Sequence, residues 1–357
     1  MTATDWVLPR DHRSRRWRRW SGVFVIGLVL LSGAYLLFGA GNIMSPSEFW
    51  HALTAPDEVS VLHRVSVDNR LPRLLLCLMA GAGLAAAGAL LQALTRNPIA
   101  SPELTGVTAG AVAGAIAWIA FVPPALVFTS AWARPLAATI GGLAAAAVVY
   151  LLTRRSNGME STRLLLIGVI VAGVLTSATT LGLLFLGPQA TNVIAWLSGS
   201  VELRTWTDVI IVASYLSIAA VITLFAIGRA NAQQLGDDVA RSLGQGREFD
   251  RVLVLIAAVA LTAGVVSVLG GIGFIGLMAP HMVRGFAGSN LRRQIPAAAF
   301  AGAAMMMIAD MIARNINSRN LFAFLGDDLA ARPLPAGVLL TLFGVPYLAS
   351  LLWRQRS

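Results

Sequence analysis

The sequence predicts an all-α, polytopic membrane protein with about ten transmembrane helices. Composition is the first reason: the 357 residues are 57% hydrophobic and only 12% charged, against ~45–50% and ~25% in a soluble domain. Mean hydropathy is the second, at +0.73. The third is spacing, because the apolar residues fall into ten stretches, most of them close to the ~20 residues a helix needs to cross a bilayer. These features exclude a soluble enzyme. They also exclude a disordered chain, which combines few apolar residues with high charge.

The elements follow in order. Residues 1–20 are polar, with Arg-Ser-Arg-Arg-Trp-Arg-Arg-Trp at 13–20. They read as an Arg/Trp-rich cytoplasmic tail whose Trp17 and Trp20 sit at the interface. A cleaved export signal fits poorly, since the stretch at 21–40 is long enough to span and has no A-x-A site. Residues 21–357 then form one transmembrane domain. Further stretches follow at 74–94, 104–122, 136–152, 164–186, 207–228, 252–270, 274–288, 296–313 and 336–353. The one at 274–288 is short and broken by Pro280-His281. Gly81, Gly83, Gly88, Gly110, Gly114, Gly141 and Gly142 crowd these stretches. Small residues let helix backbones approach closely where hydrophobicity no longer drives association.

All 27 basic residues are Arg, and the net charge is +10. Without Lys there is no phosphate-binding loop of the GxxxxGK[ST] type and no Schiff-base lysine. In a membrane chain a basic balance marks the cytoplasmic side rather than nucleic acid. Ten crossings with both termini cytoplasmic place 19 arginines inside and 8 outside, the bias that the positive-inside rule expects. The outside set is Arg64, Arg70, Arg73, Arg134, Arg204, Arg314, Arg319 and Arg332. A lone Cys77 allows no intrachain disulfide and no Cys-based metal site; it reads as a buried small hydrophobe.

Several short motifs carry more. Arg70-Leu-Pro-Arg73 opens the second stretch, with Pro72 suited to a first helical turn. Arg70 and Arg73 share a face. They read either as interfacial arginines or as a patch for carboxylates of a partner, which Arg314 could join. Gln92 to Pro102 is a tight turn, because Pro98 and Pro102 stop helix propagation. Between Asn231 and Gly246, Leu235, Val239 and Leu243 recur every fourth residue as one apolar stripe. That stripe lies on the bilayer surface or docks into a groove on another protein. The G-x-G-x-x-G at 271–276 lacks the strand–turn–helix context of a dinucleotide site; its glycines read as a close turn with tight packing. His281 has no ligating companions, so no metal site is expected. No nucleophile–base or paired-carboxylate arrangement appears, so no catalytic site and no cofactor are expected. Intramembrane ionisable groups are few: Asp310, His281 and Arg284. An ion-coupled transporter generally carries acidic or His relays near the midplane. The chain therefore reads as a pathway whose energy comes from elsewhere, with an ion-coupled secondary transporter as the rival class.

Together these strings resemble the membrane permeases of ABC importers for iron–siderophores, haem and cobalamin. The resemblance runs from about residue 67 to the C-terminus. It rests on Arg70-Leu-Pro-Arg73, Gly88-Ala-Leu-Leu-Gln92, Asn97-Pro98-Ile-Ala-Ser-Pro102, Leu235–Gly244, Gly273-Phe-Ile-Gly-Leu277 with Ala279-Pro-His281 and Arg284, Ala309-Asp310 with Ala313-Arg314, and Pro335-Ala-Gly337-Val338. It implies a bacterial inner-membrane permease subunit with ten helices. A second permease subunit, identical or paralogous, would pair with it, and the pathway would lie between the two. A cytoplasmic ATPase dimer would sit beneath and an extracytoplasmic substrate-binding protein would dock outside. Carried onto this chain, the docking arginines would be Arg70, Arg73 and Arg314, and the ATPase-coupling loop Leu235, Gly236, Ala240, Leu243 and Gly244. A ferric siderophore is the expected cargo, with haem or cobalamin as alternatives. Pro333 stands where the family usually has Glu, and Asn315–Arg332 is longer than usual.

Overall fold

A computed structural model describes residues 10–39, 42–54, 63–122, 131–153, 161–186, 190–202, 204–242, 244, 248–315 and 334–354. Among them the chain is helical apart from one antiparallel pair of two-residue strands, β1 (Phe38–Gly39) and β2 (Asn42–Ile43). The helices are α1 (Arg10–Leu37), α2 (Pro46–Thr54), α3 (Leu71–Thr95), α4 (Val107–Phe121), α5 (Ala133–Thr153), α6 (Ser161–Leu184), α7 (Ala190–Leu197) and α8 (Trp206–Gln234). They continue with α9 (Asp237–Ser242), α10 (Glu248–Leu269), α11 (Ile275–Ala287), α12 (Leu291–Asn315) and α13 (Ala336–Arg354). Every one of the ten apolar stretches holds a helix. Among the described residues, six helices are long and apolar enough to cross a membrane: Arg64–Thr95, Ala133–Thr153, Arg163–Leu184, Trp206–Gln234, Glu248–Leu269 and Leu291–Asn315. The apolar parts of α1, α4 and α13 are shorter, at 10–17 residues. Helix α1 starts at Arg10, so half of the Arg/Trp-rich segment is continuous with the first apolar stretch.

Helix α3 is the axis of the bundle and packs against α12, α10, α8 and α11. Its core contacts include Leu76, Leu84, Met306 and Met307, all fully buried. Most of its apolar window is buried, 78%, whereas α6 buries only 17% and turns its apolar side chains outward. The glycines act at crossings. A Cβ on Gly81 would lie 2.2 Å from the Gly302 carbonyl oxygen, and one on Gly110 would lie 2.6 Å from that of Gly141. Only glycine admits α12 against α3 and α5 against α4 this closely.

Upstream of Pro72 the chain stays helical, as a π-helical stretch from Arg64 to Arg70 in which Leu71 N–H bonds the Ser66 carbonyl. Proline cannot donate and its ring crowds the carbonyl four residues earlier, which favours a widened turn there. Pro72 thus sits in the first α-helical turn, as expected, but the helix as a whole begins earlier.

Candidate functional site

Two polar clusters cap opposite ends of α3. Arg73 and Arg96 are 23 residues apart, roughly 35 Å at 1.5 Å per residue. That distance exceeds the ~30 Å hydrocarbon core of a bilayer, so the two ends fall at its two interfaces.

The first cluster gathers Arg70, Arg73 and Arg314 around the C-terminus of α1. The last carbonyls of a helix have no intrahelical donors and carry the negative end of its dipole. Arg70 Nη1 donates to the carbonyls of Leu36 and Leu37 at 2.6 and 3.3 Å. Arg314 Nη2 donates to the Tyr35 carbonyl at 2.8 Å, and its guanidinium carbon lies 4.0 Å from the Tyr35 ring centroid. Arg73 donates from Nε and Nη2 to both oxygens of Asp310, at 2.9 and 2.8 Å. The Tyr35 hydroxyl donates to Asp310 Oδ2 at 2.6 Å and lies 3.6 Å from Cys77 Sγ. Asp310 and Tyr35 are buried, and Arg70 and Arg314 nearly so. Glu202 stands in the field of Arg73 and Asp310; burial pushes its carboxyl up, and Arg73 opposes the shift.

Sequence reasoning brought the three arginines to one end, and the structure places them together there. Their engagement with α1 was not foreseen, nor was Tyr35, hidden in the apolar stretch 21–40. Asp310, one of the few intramembrane ionisable groups, is the counter-ion of Arg73. Arg134 and Arg204 are likewise held internally. The Arg134 guanidinium lies 5.6 Å from the Trp196 ring, and Arg204 donates to the Ser200 carbonyl. Arg64 is exposed, while Arg319 and Arg332 lie outside the described residues.

The second cluster holds the turn at 92–102 against the loop that follows α8. Helix α3 ends with Arg96 in the left-handed region at φ 52°. Asn97 Oδ1 accepts from the Ile99 N–H at 2.9 Å, closing the turn before Pro98 commits the chain outward. Arg96 Nε donates to the Gln233 carbonyl at 2.8 Å. Asn231 Nδ2 donates to Asn290 Oδ1, and Asn231 Oδ1 accepts from the Leu291 N–H. The end of α8 therefore caps the start of α12.

Beyond that anchor the loop differs in detail from the single striped helix expected. Leu235 terminates α8, Gly236 breaks the helix at φ +107°, and α9 begins at Asp237. Leu235 and Val239 are exposed. Ala240, by contrast, is buried against the bundle. Gly244 adopts φ +72°, and Leu243 lies outside the described residues.

A third arrangement explains the glycine-rich string. The chain unwinds from Gly270 to Phe274, and Phe274 stands at φ +66° at the start of α11. Its ring fills the notch over Gly344. The Ser200 N–H donates to the Leu269 carbonyl, and the Gly337 N–H donates to the Gly199 carbonyl. Trp196 Nε1 donates to the Val268 carbonyl. The glycines give a close turn and tight packing, as expected. Further on, Pro280 leaves the Gly276 carbonyl without an intrahelical donor. Gln92 Nε2 supplies one, at 3.4 Å, and also reaches the Leu277 carbonyl at 3.3 Å. Gly88, one turn earlier on α3, faces the same Gly276 backbone. His281 edges against Tyr347, ring centroids 6.0 Å apart. No group of three or more His, Cys, Asp or Glu suited to a metal occurs among the described residues.

Known proteins carry the same plan. The Probable siderophore transport system permease protein YfhA of Bacillus subtilis is 35% identical over 348 residues, covering 94% of this chain and 96% of that protein. The hemin transport system permease protein HmuU of Yersinia pestis is 30% identical over 93% of this chain and 96% of its own length. Among solved structures, a metal-chelate type ABC transporter in an inward-facing conformation superposes with a TM-score of 0.75. It is 26% identical and covers 94% of this chain and 99% of that one. Residues 25–354 match the FecCD transport family. With its apolar helices and this match over nearly its whole length, the chain is a membrane protein and belongs to the FecCD transport family.

Proposed function

We propose that the chain is the membrane-spanning permease subunit of an ATP-driven importer for a ferric siderophore, in a bacterial cytoplasmic membrane. The ten helices that fill the apolar stretches cross the bilayer, with both termini cytoplasmic. A second permease subunit completes the pathway, and cargo passes between the two by alternating access. No bond in the cargo is broken by this subunit.

The observation that carries the reading is the exposed apolar pair Leu235 and Val239 on the loop that follows α8, in a chain of this family. A solvated loop gains nothing from two bare aliphatic side chains; a groove on a cytoplasmic ATPase buries them. Each side chain contributes ~1.5–3 kcal/mol when fully buried. Arg96 and the Asn231–Asn290 contact tie that loop to α3 and α12. At the other end, the arginine cluster receives carboxylates of the substrate-binding protein. Haem as cargo is favoured only by likeness to the hemin permease.

The test is uptake of ferric siderophore into proteoliposomes holding the permease with or without its ATPase subunits. Uptake should require both ATP and the ATPase. Leu235→Asp with Val239→Asp should detach or uncouple the ATPase without unfolding the bundle. Uphill uptake by the permease alone would overturn the reading.

A further inference from the structure

In the arginine cluster one guanidinium, that of Arg73, is paired with the buried carboxylate of Asp310. Arg70 and Arg314 lean on carbonyls of α1, whereas Arg73 pairs with Asp310. The contact is side-on: Nε and Nη2 are committed to Asp310. The Nη1–Nη2 edge is left with three N–H groups, since a guanidinium has five. The exposed part of this pair belongs to the arginine, whose side chain is 14% accessible against 2% for Asp310. Asp310 is itself fixed by the Tyr35 hydroxyl at 2.6 Å.

We infer that Asp310 and Tyr35 are positioning residues for docking: they hold Arg73 side-on, so that its second edge is ready for a carboxylate of the binding protein. The inference rests on the docking role proposed above. Ordering a long arginine during binding costs affinity, and a guanidinium already locked avoids that cost. Tyr35 acts through Asp310 and touches no partner itself.

The proposal makes a prediction opposite in sign to simple charge counting. Asp310→Asn raises the charge of the cluster by one. If charge alone governed docking, an acidic partner would associate faster and bind more tightly. If position governs, Arg73 loses its lock and the partner leaves sooner.

The experiment uses the full permease–ATPase complex in nanodiscs and its cognate substrate-binding protein as analyte, with dissociation followed at two salt concentrations. Asp310→Asn should speed dissociation about tenfold. Tyr35→Phe keeps the ring beneath Arg314 and should speed it about threefold. Asp310→Glu restores a carboxylate and should recover most of the loss. Arg73→Ala should weaken docking by at least as much as Asp310→Asn. Dissociation rates come only from molecules that bound, so loss of fold lowers signal amplitude and leaves the rate unmoved. If Asp310→Asn binds as tightly as wild type or more tightly while Arg73→Ala weakens docking, the positioning role is wrong and the docking role stands. If Arg73→Ala changes nothing, both fall together.

Discussion

Replacing Gly88 by Ala tests the packing at the crossing of α3 and α11. A Cβ there would lie 1.8 Å from the Gly276 carbonyl oxygen and 2.6 Å from its Cα. Ordinary contact begins near 3.4 Å, so the two backbones must part by about 1.6 Å. Helix α3 cannot draw back without also parting from α12, which it meets at the Gly81–Gly302 contact two turns earlier on the same face. Overpacking of this kind costs about 1–3 kcal/mol. The same movement carries the Gly276 and Leu277 carbonyls beyond reach of Gln92, whose bonds are already 3.4 and 3.3 Å. Losing them strands a buried carbonyl and adds about 1 kcal/mol. The helical preference of Ala over Gly returns about 1 kcal/mol, leaving a net loss of about 1–3 kcal/mol. Gly228, in α8, has nothing within 4 Å of its Cβ position, so Gly228→Ala should be neutral or stabilise by up to about 1 kcal/mol.

The assay is thermal unfolding of the detergent-solubilised protein, wild type beside the two variants. Gly88→Ala should lower the midpoint by about 2–5 °C, and Gly228→Ala should hold or raise it. Siderophore uptake should fall in the first variant alone. Equal midpoints for wild type and Gly88→Ala would refute the crossing as drawn, because no side-chain rearrangement can relieve a clash between two backbones.

Two further outcomes follow from the polar ends. Glu48 closes the start of α2: its Oε2 accepts from the Ser45 N–H at 2.7 Å, and its own N–H donates to Ser45 Oγ. The Ser45 backbone N–H holds the Glu48 carboxyl below its ordinary 4.5. The stabilisation is therefore present above pH 4.5 and lost as pH falls through the lower folded value. Amide exchange across α2, corrected for intrinsic rates, should accelerate in that window, and Glu48→Gln should abolish the pH dependence. At the opposite end, Asn290 Oδ1 accepts from the Arg292 N–H and from Asn231. Asn231→Ala and Asn290→Ala should each cost about 1 kcal/mol, and the double variant less than their sum, as a double-mutant cycle on unfolding midpoints would record.

The helices were readable because lipid imposes a simple rule: a spanning segment must satisfy its own backbone, so a run of apolar residues is a helix. Glycines were readable as packing residues, but not their mates. Nothing in the chain says that Gly81 meets Gly302 or that Gly88 meets Gly276, since both are long-range pairings. Tyr35 was invisible for a related reason. An aromatic near the end of an apolar stretch ordinarily anchors at the interface, and only the fold brings α12 beside it. Asp310 stands out in the sequence as one of few intramembrane ionisable groups, but its mate Arg73 lies 237 residues away and only the fold pairs them. The loop after α8 carries an apolar stripe punctuated by Gly236 and Gly244, and periodicity does not say that Gly236 breaks the helix. With φ +107° there, Leu235 caps the end of α8 while Val239 lies in α9, and Ala240 turns inward.

In the topology proposed above, the arginines on the side with fewer of them raise a physical question that the fold answers. Orientation is set during insertion, before tertiary contacts exist, and every arginine left outside works against it. Such residues persist only if the folded state uses them. Arg70 and Arg314 supply donors to the last carbonyls of α1, which no helix can satisfy for itself. Arg73 neutralises Asp310, which would otherwise be buried alone at several kcal/mol. Arg134 and Arg204 are absorbed nearby. The cluster therefore has a structural reason to exist before any partner arrives, and docking would exploit charge already in place. It follows that reversing Arg73 to Glu is a poor probe of docking, because it sets two carboxylates against each other in a buried site. Arg73→Lys is the better one: it keeps a charge beside Asp310 while removing the guanidinium forks, both the one on Asp310 and the one that a second carboxylate would grip. Docking weakened in that variant, with the unfolding midpoint held, would separate the two roles of a single side chain.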